Sequence, residues 1–142
     1  MKATHIIPAL IYNDAAAAIE FLVKAFGFEK QMVVPGEGNV IHHAELSLDS
    51  LMVMLGSAQS GSEYSKRVKT PKDNGGFVTQ SPCIIVDDPD AFYERAKKHV
   101  ATVVIGIKDE DYGGRGFPCA DPEGNLWSFG SYNPWKSAAQ GT

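Results

Sequence analysis

Asp109-Glu-Asp-Tyr-Gly-Gly-Arg-Gly-Phe-Pro-Cys-Ala-Asp-Pro-Glu-Gly-Asn-Leu-Trp-Ser-Phe-Gly-Ser-Tyr132 is the stretch whose reading decides the fold. Asp121-Pro122-Glu123-Gly124 has turn chemistry: Asp opens the turn, Pro suits its second place and Gly closes it. From Asn125 to Gly130 the residues alternate, with Leu126 and Ser128 on one face and Trp127 and Phe129 on the other. An aromatic face backed by a small, polar one predicts a strand lying between a core and a cavity. Taken alone, the stretch is a loop followed by a β-hairpin.

Its weight comes from a repeat. Pro8-Ala-Leu-Ile-Tyr-Asn-Asp14 matches Pro82-Cys-Ile-Ile-Val-Asp-Asp88, 74 residues later. Asp49-Ser-Leu-Met-Val-Met-Leu-Gly-Ser57 matches Glu123-Gly-Asn-Leu-Trp-Ser-Phe-Gly-Ser131 at the same spacing. Two separated matches in one register predict two copies of a single module, each a strand, a helix and a β-meander. The expected class is α+β: one domain over 1–142, with module one near 5–57, a connection near 58–80, module two near 81–133 and a tail over 134–142.

Composition bounds the function. The 142 residues are 44% hydrophobic, enough for a core without disulfides, and the net charge is −4. The longest basic run is Lys66-Arg67, which argues against nucleic acid or an anionic membrane as partner. No apolar run approaches the ~20 residues of a membrane span, and no leader pattern opens the chain. Cys83 and Cys119 lack metal-motif spacing and read as reduced thiols, so a cytoplasmic protein is expected.

In chain order, residues 5–12 predict a first strand, with Pro8 at an edge or a bulge. Asn13 or Asp14 caps a helix running to Phe26, with Ile19, Leu22, Val23 and Phe26 as its apolar stripe and Gly27 as its stop. Residues 30–35, 40–48 and 51–55 form the meander. The polar connection from Ser57 to Gln80 reads either as a lid or dimer contact or as a solvated tether. In module two, 81–86 is a strand, and Asp88 caps a helix with Pro89 at its first position and Phe92, Ala96 and Val100 inward. Residues 103–107 form a further strand. Trp135 is the one anchored residue expected in the tail, and 136–142 are expected to fray.

The doubled βαβββ plan, with Gly-Arg-Gly followed by Asp-Pro-Glu-Gly-Asn-Leu-Trp-Ser-Phe, resembles the vicinal oxygen chelate superfamily across about residues 5–133. That group holds glyoxalase I, extradiol dioxygenases, and fosfomycin and bleomycin resistance proteins. The likeness is strongest to the bacterial glyoxalase or bleomycin resistance members. It implies two modules whose curved mixed sheets enclose a cavity, with helices on the convex side. It also implies metal ligands on the first and last strand of each module, places that fall here on Ile7, Met54, Ser81 and Ser128. A hydrocarbon, a thioether and two hydroxyls do not make the nitrogen, oxygen or thiolate set that a divalent ion requires. No cofactor is therefore expected.

Other residues carry the candidate chemistry. His43 and Glu45 share a strand face, and a two-residue loop at Asp49-Ser50 pairs Glu45 with Met54 and Ser47 with Met52. The pair reads as polar residues on a solvated face, as groups that bind a ligand or act as acid and base, or as a displaced metal site recruiting His5. Arg115, between two glycines, would grip an anion or pair with the neighbouring acids. Met52, Met54 and Cys119 would wall an apolar cavity. The expected function is metal-free binding of a small molecule, with Met52, Met54, Ser81 and Ser128 lining the site and Arg115 and Tyr112 at its mouth. The alternative is a metal-dependent lyase or dioxygenase using an off-register site at His43 and Glu45. A homodimer is expected from the resemblance alone.

Overall fold

The computed structural model describes residues 1–136. Module one runs β1 (Ala9–Tyr12), α1 (Ala15–Phe21, continued by a π-turn over Leu22–Phe26), β2 (Glu29–Pro35), β3 (Ile41–Leu48) and β4 (Leu51–Ser57). Module two runs β5 (Cys83–Ile85), α2 (Pro89–Lys98), β6 (Thr102–Val103), β7 (Lys108–Asp109), β8 (Arg115–Ala120) and β9 (Leu126–Gly130). The first sheet has the order β1-β4-β3-β2, and the second the order β5-β9-β8-β6 with β7 also on β8. Each mixes one parallel pair, β1 with β4 or β5 with β9, into an antiparallel meander.

The repeat is visible in the pairing. Ala9 stands beside Met54, and Cys83 beside Ser128, each 74 residues further on. The hairpins differ by one place. Ala44 is the partner of Leu55, whereas Phe117 rather than Pro118 is the partner of Phe129. Module two therefore has one more residue in its turn, where Pro122-Glu123-Gly124 replaces Asp49-Ser50.

Strand alternation divides each sheet into two faces. Ala44, Leu46, Val53 and Leu55 of the first sheet and Phe117, Cys119, Trp127 and Phe129 of the second are buried in one core with both helices. Phe26 of α1 reaches across the modules, its ring centre 5.4 Å from that of Trp127 and 4.8 Å from that of Phe129. Arg95 of α2 donates to the Lys24 and Val23 carbonyls, which the end of α1 leaves unpaired. The helices lie on the packed sides, as expected. The sheets of one chain are not closed into a barrel, so Met54 and Ser128 lie on faces turned away from the shared core.

Several local expectations are corrected. The strand expected over 103–107 is two short pieces, β6 and β7. Val100 lies past the end of α2 with φ 73° and is 83% exposed, because the helix stops at His99 and the chain reverses there. Trp135 is 84% exposed and is not an anchor. The fraying expected over 136–142 falls, beyond Lys136, outside the described residues. The connection is not structureless: it has 3-10 turns at Ser65–Arg67 and Pro71–Asn74, and Thr70 and Pro71 are buried. β2 is exposed at every position, and its register on β3 shifts between Lys30 and Met32 and between Val34 and Pro35.

The turn after β8 ties the modules together. Asp121, 4% exposed, accepts hydrogen bonds from the Tyr12 hydroxyl at 2.7 Å, Trp127 Nε1 at 3.1 Å and the backbone N–H groups of Glu123 and Asn125. Glu123 accepts from the N–H groups of Asn13 and Asp14 at the entrance to α1. Bonds to a charged group contribute about 1.5–3 kcal/mol each. Burial nonetheless raises the Asp121 carboxyl above its ordinary value, with the four donors only partly offsetting it. A carboxyl raised on folding is more stable protonated, so its contribution is fullest below the unfolded value near 3.8 and falls as pH rises through the folded value. The stability of the natural protein minus that of Asp121→Asn should therefore decline from pH 3.5 upward and then level off. Denaturant melts at matched pH measure it, and a difference that grows with pH would contradict the burial penalty.

Candidate functional site

The expected hairpin register holds: Glu45 pairs with Met54 and Ser47 with Met52. His43, Glu45, Met52 and Met54 share the face of the first sheet that the helices leave uncovered. There His43 Nε2 lies 2.9 Å from Glu45 Oε2, in a half-buried pair. A carboxylate only accepts, so Nε2 is the donor and Nδ1 is left to accept from a ligand. The pair can thus hold a hydroxyl or amide, or exchange a proton with one.

The corresponding face of the second sheet carries Cys83, Pro118 and Ser128, in register across three strands. Ser128, Arg115 and Tyr112 line a hollow of about 310 Å³ there. Gly113 and Gly114 have φ 114° and 72°, and a side chain at Gly114 would strike the Tyr132 backbone at 2.5 Å. This close approach seats Tyr112 against Tyr132, ring centres 5.0 Å apart. Cys83 and Tyr132 join this hollow although neither was expected there. Cys83 was legible, because it stands 74 residues after Ala9 and so beside Ser128.

The six expected binding residues do not converge within one chain. Met54 lines a hollow of about 180 Å³ with His43, and Met52 one of about 340 Å³ with Cys83. Ser81 faces the seam between the modules, in a cleft of about 630 Å³. Arg115 is committed elsewhere: its guanidinium binds Asp90 through Nε and Nη2 and reaches Asp109 at 3.4 Å, and these partners raise its pKa further. It joins α2 to β8 rather than standing as a free anion grip. Cys119 is buried against the core, not in a cavity wall. Burial, then the nearby Asp121 charge, pushes its thiol up to about 12, which removes it as a nucleophile.

The metal places implied by the resemblance do not fit an ion. Met54 stands between Ala9 and Glu45, and Ser128 between Cys83 and Pro118, so neighbouring strands add one carboxylate at the first and one thiol at the second. Among the described residues, no group of three His, Cys, Asp or Glu is placed to hold a metal, so His43 and Glu45 gain no third ligand such as His5. No step through a metal is derived.

The fold and the paired modules define a class, and the comparisons agree with it. Residues 2–129 match the model of the Glyoxalase/Bleomycin resistance protein/Dioxygenase superfamily, and the chain belongs to that superfamily. It is 38% identical over 123 residues to an uncharacterized protein of Mycobacterium bovis, covering 87% of this chain and 80% of that one. Among solved structures, TioX from Micromonospora sp. ML1 is similar with a TM-score of 0.69 and 28% identity, over 92% of this chain and 100% of that one. The fosfomycin resistance protein FosX of Listeria monocytogenes, complexed with Mn(II) and 1S,2S-dihydroxypropylphosphonic acid, shares the fold with a TM-score of 0.70 at 13% identity, over 100% of both chains. No helix among the described residues is long and apolar enough to cross a membrane.

Thiol chemistry reads out this geometry. At pH 8 the native protein should yield one equivalent of thionitrobenzoate from DTNB, from the exposed Cys83, and a second only in guanidinium as Cys119 is released. Two rapid equivalents from the native state would place Cys119 outside the core.

Proposed function

We infer that the chain is a metal-independent, small-molecule-binding member of the superfamily, its ligand held against the uncovered sheet faces rather than on an ion. One observation carries the reading. The face with His43, Glu45 and Met54 and the face with Cys83, Ser128 and Tyr112 each form a shallow half-site, open where a closed cavity would have its other wall. Ligand sites of drug-like size are concave, mostly apolar, and carry a few fixed polar groups. Two such faces brought together by a second copy would supply that enclosure, which supports a homodimer with a site built from both chains. FosX retains its product with Mn(II), but here a thioether and hydroxyls occupy the comparable places, which supports sequestration over metal chemistry. Met54 and Met52 provide an adaptable wall, and the His43–Glu45 pair fixes orientation.

Titration calorimetry with bleomycin and with fosfomycin, each with and without EDTA, tests the reading. Binding of either probe should be unchanged by EDTA and lost in Met54→Trp, which fills the first face. Binding that vanishes with EDTA would overturn metal independence. Light scattering should give twice the 15.3 kDa chain mass at micromolar concentration, and a monomer would remove the shared site.

A further inference from the structure

The largest hollow among the described residues belongs to neither sheet face. It is the cleft of about 630 Å³ along the seam, between the segment entering β1, the connection and the segment entering β5. Its walls are aliphatic: Ile6, Ile7 and Ile11 on one side, Val68 and Val78 on the other. Its polar groups are of one kind. Lys69 is the only charged side chain lining it, and it has no ion-pair partner among the described residues. At the floor lies Asn125, whose backbone N–H donates to Asp121 Oδ1 and whose carbonyl accepts from the Asp121 N–H. With its backbone thus held, Asn125 Nδ2 is buried without a hydrogen-bond partner.

A buried donor left unmade carries a desolvation penalty, so its retention calls for an acceptor. Lys69 is also held in place, since the next residue, Thr70, is buried and bonded to Asn13 and Asp73. An ammonium and an amide N–H, with no carboxylate between them, select an anionic acceptor. The net charge of −4 does not cancel this, because distant surface charges are screened over about 8 Å at physiological salt.

We propose that this seam is a second ligand site, distinct from the sheet faces, which takes an amphipathic carboxylate. The hydrocarbon lies between the isoleucine and valine walls, and the carboxylate accepts from Lys69 Nζ and Asn125 Nδ2. The connection is then neither a tether nor a lid over the sheet faces but one wall of a site.

Calorimetry at pH 7.5 with sodium decanoate and uncharged decanamide tests it on the full chain. Decanoate should bind one per chain and at least tenfold tighter than decanamide. Lys69→Gln should bring the two to the same affinity, and Val78→Trp should abolish both while leaving the thermal melt intact. Amide NMR should show decanoate shifting Lys69, Val78 and Asn125. Equal affinities for the natural protein, an unchanged ratio in Lys69→Gln, or shifts confined to Met54 and Ser128 would each overturn the proposal, the last by assigning decanoate to the sheet-face site.

Discussion

One buried carboxylate holds the two halves of the molecule in register. Asp121 gathers the Trp127 indole and two backbone N–H groups from its own module and the Tyr12 hydroxyl from the other. Glu123, two residues on, takes the N–H groups that lead into α1, placing negative charge near the positive end of that helix. A single turn of module two therefore completes both the first strand and the first helix of module one. The aromatic contact of Phe26 with Trp127 and Phe129 lies beneath the same turn, so the polar tie and the apolar core reinforce each other.

This arrangement explains how the fold persists while the places associated with metal binding change. Strand side chains alternate, so residues that pack on the helices and residues that face a ligand occupy interleaved positions on one strand. Leu46 and Leu55 secure the core, while Glu45 and Met54, one position away, lie on the uncovered face. Replacing the outward set leaves the inward packing untouched. The superfamily's architecture and its chemistry are thus physically separable, and this chain keeps the first without the usual donors of the second.

Much of this was legible from the residues. The 74-residue spacing located both sheets, and the polarity of His43, Glu45 and Ser47 set the register of the first hairpin, because a slip of one would have turned those groups into the core. Trp127 and Phe129 read correctly as core for the same reason. Less visible was the extra residue in the second turn, since Pro122-Glu123-Gly124 closes a hairpin as readily as a two-residue loop does. Arg115 was ambiguous because its strongest partner, Asp90, lies 25 residues away on another element. Val100 followed the helical period but fell past the last turn. The division of Met52, Met54, Ser81 and Ser128 among separate hollows depends on how the modules pack, which periodicity within each strand does not encode.

β2 carries a further consequence. It is the outermost member of the first sheet, seven residues long, with Met32, Val33 and Val34 exposed. Such a rim is a template onto which a foreign strand could add, and unchecked it would allow end-to-end growth into fibres. The two places where its pairing slips distort the rim, charged Glu29 and Lys30 open it, and Pro35 ends it with a residue that has no N–H to donate. A second copy is thereby steered away from strand addition and toward face-to-face contact, the geometry that can trap a guest.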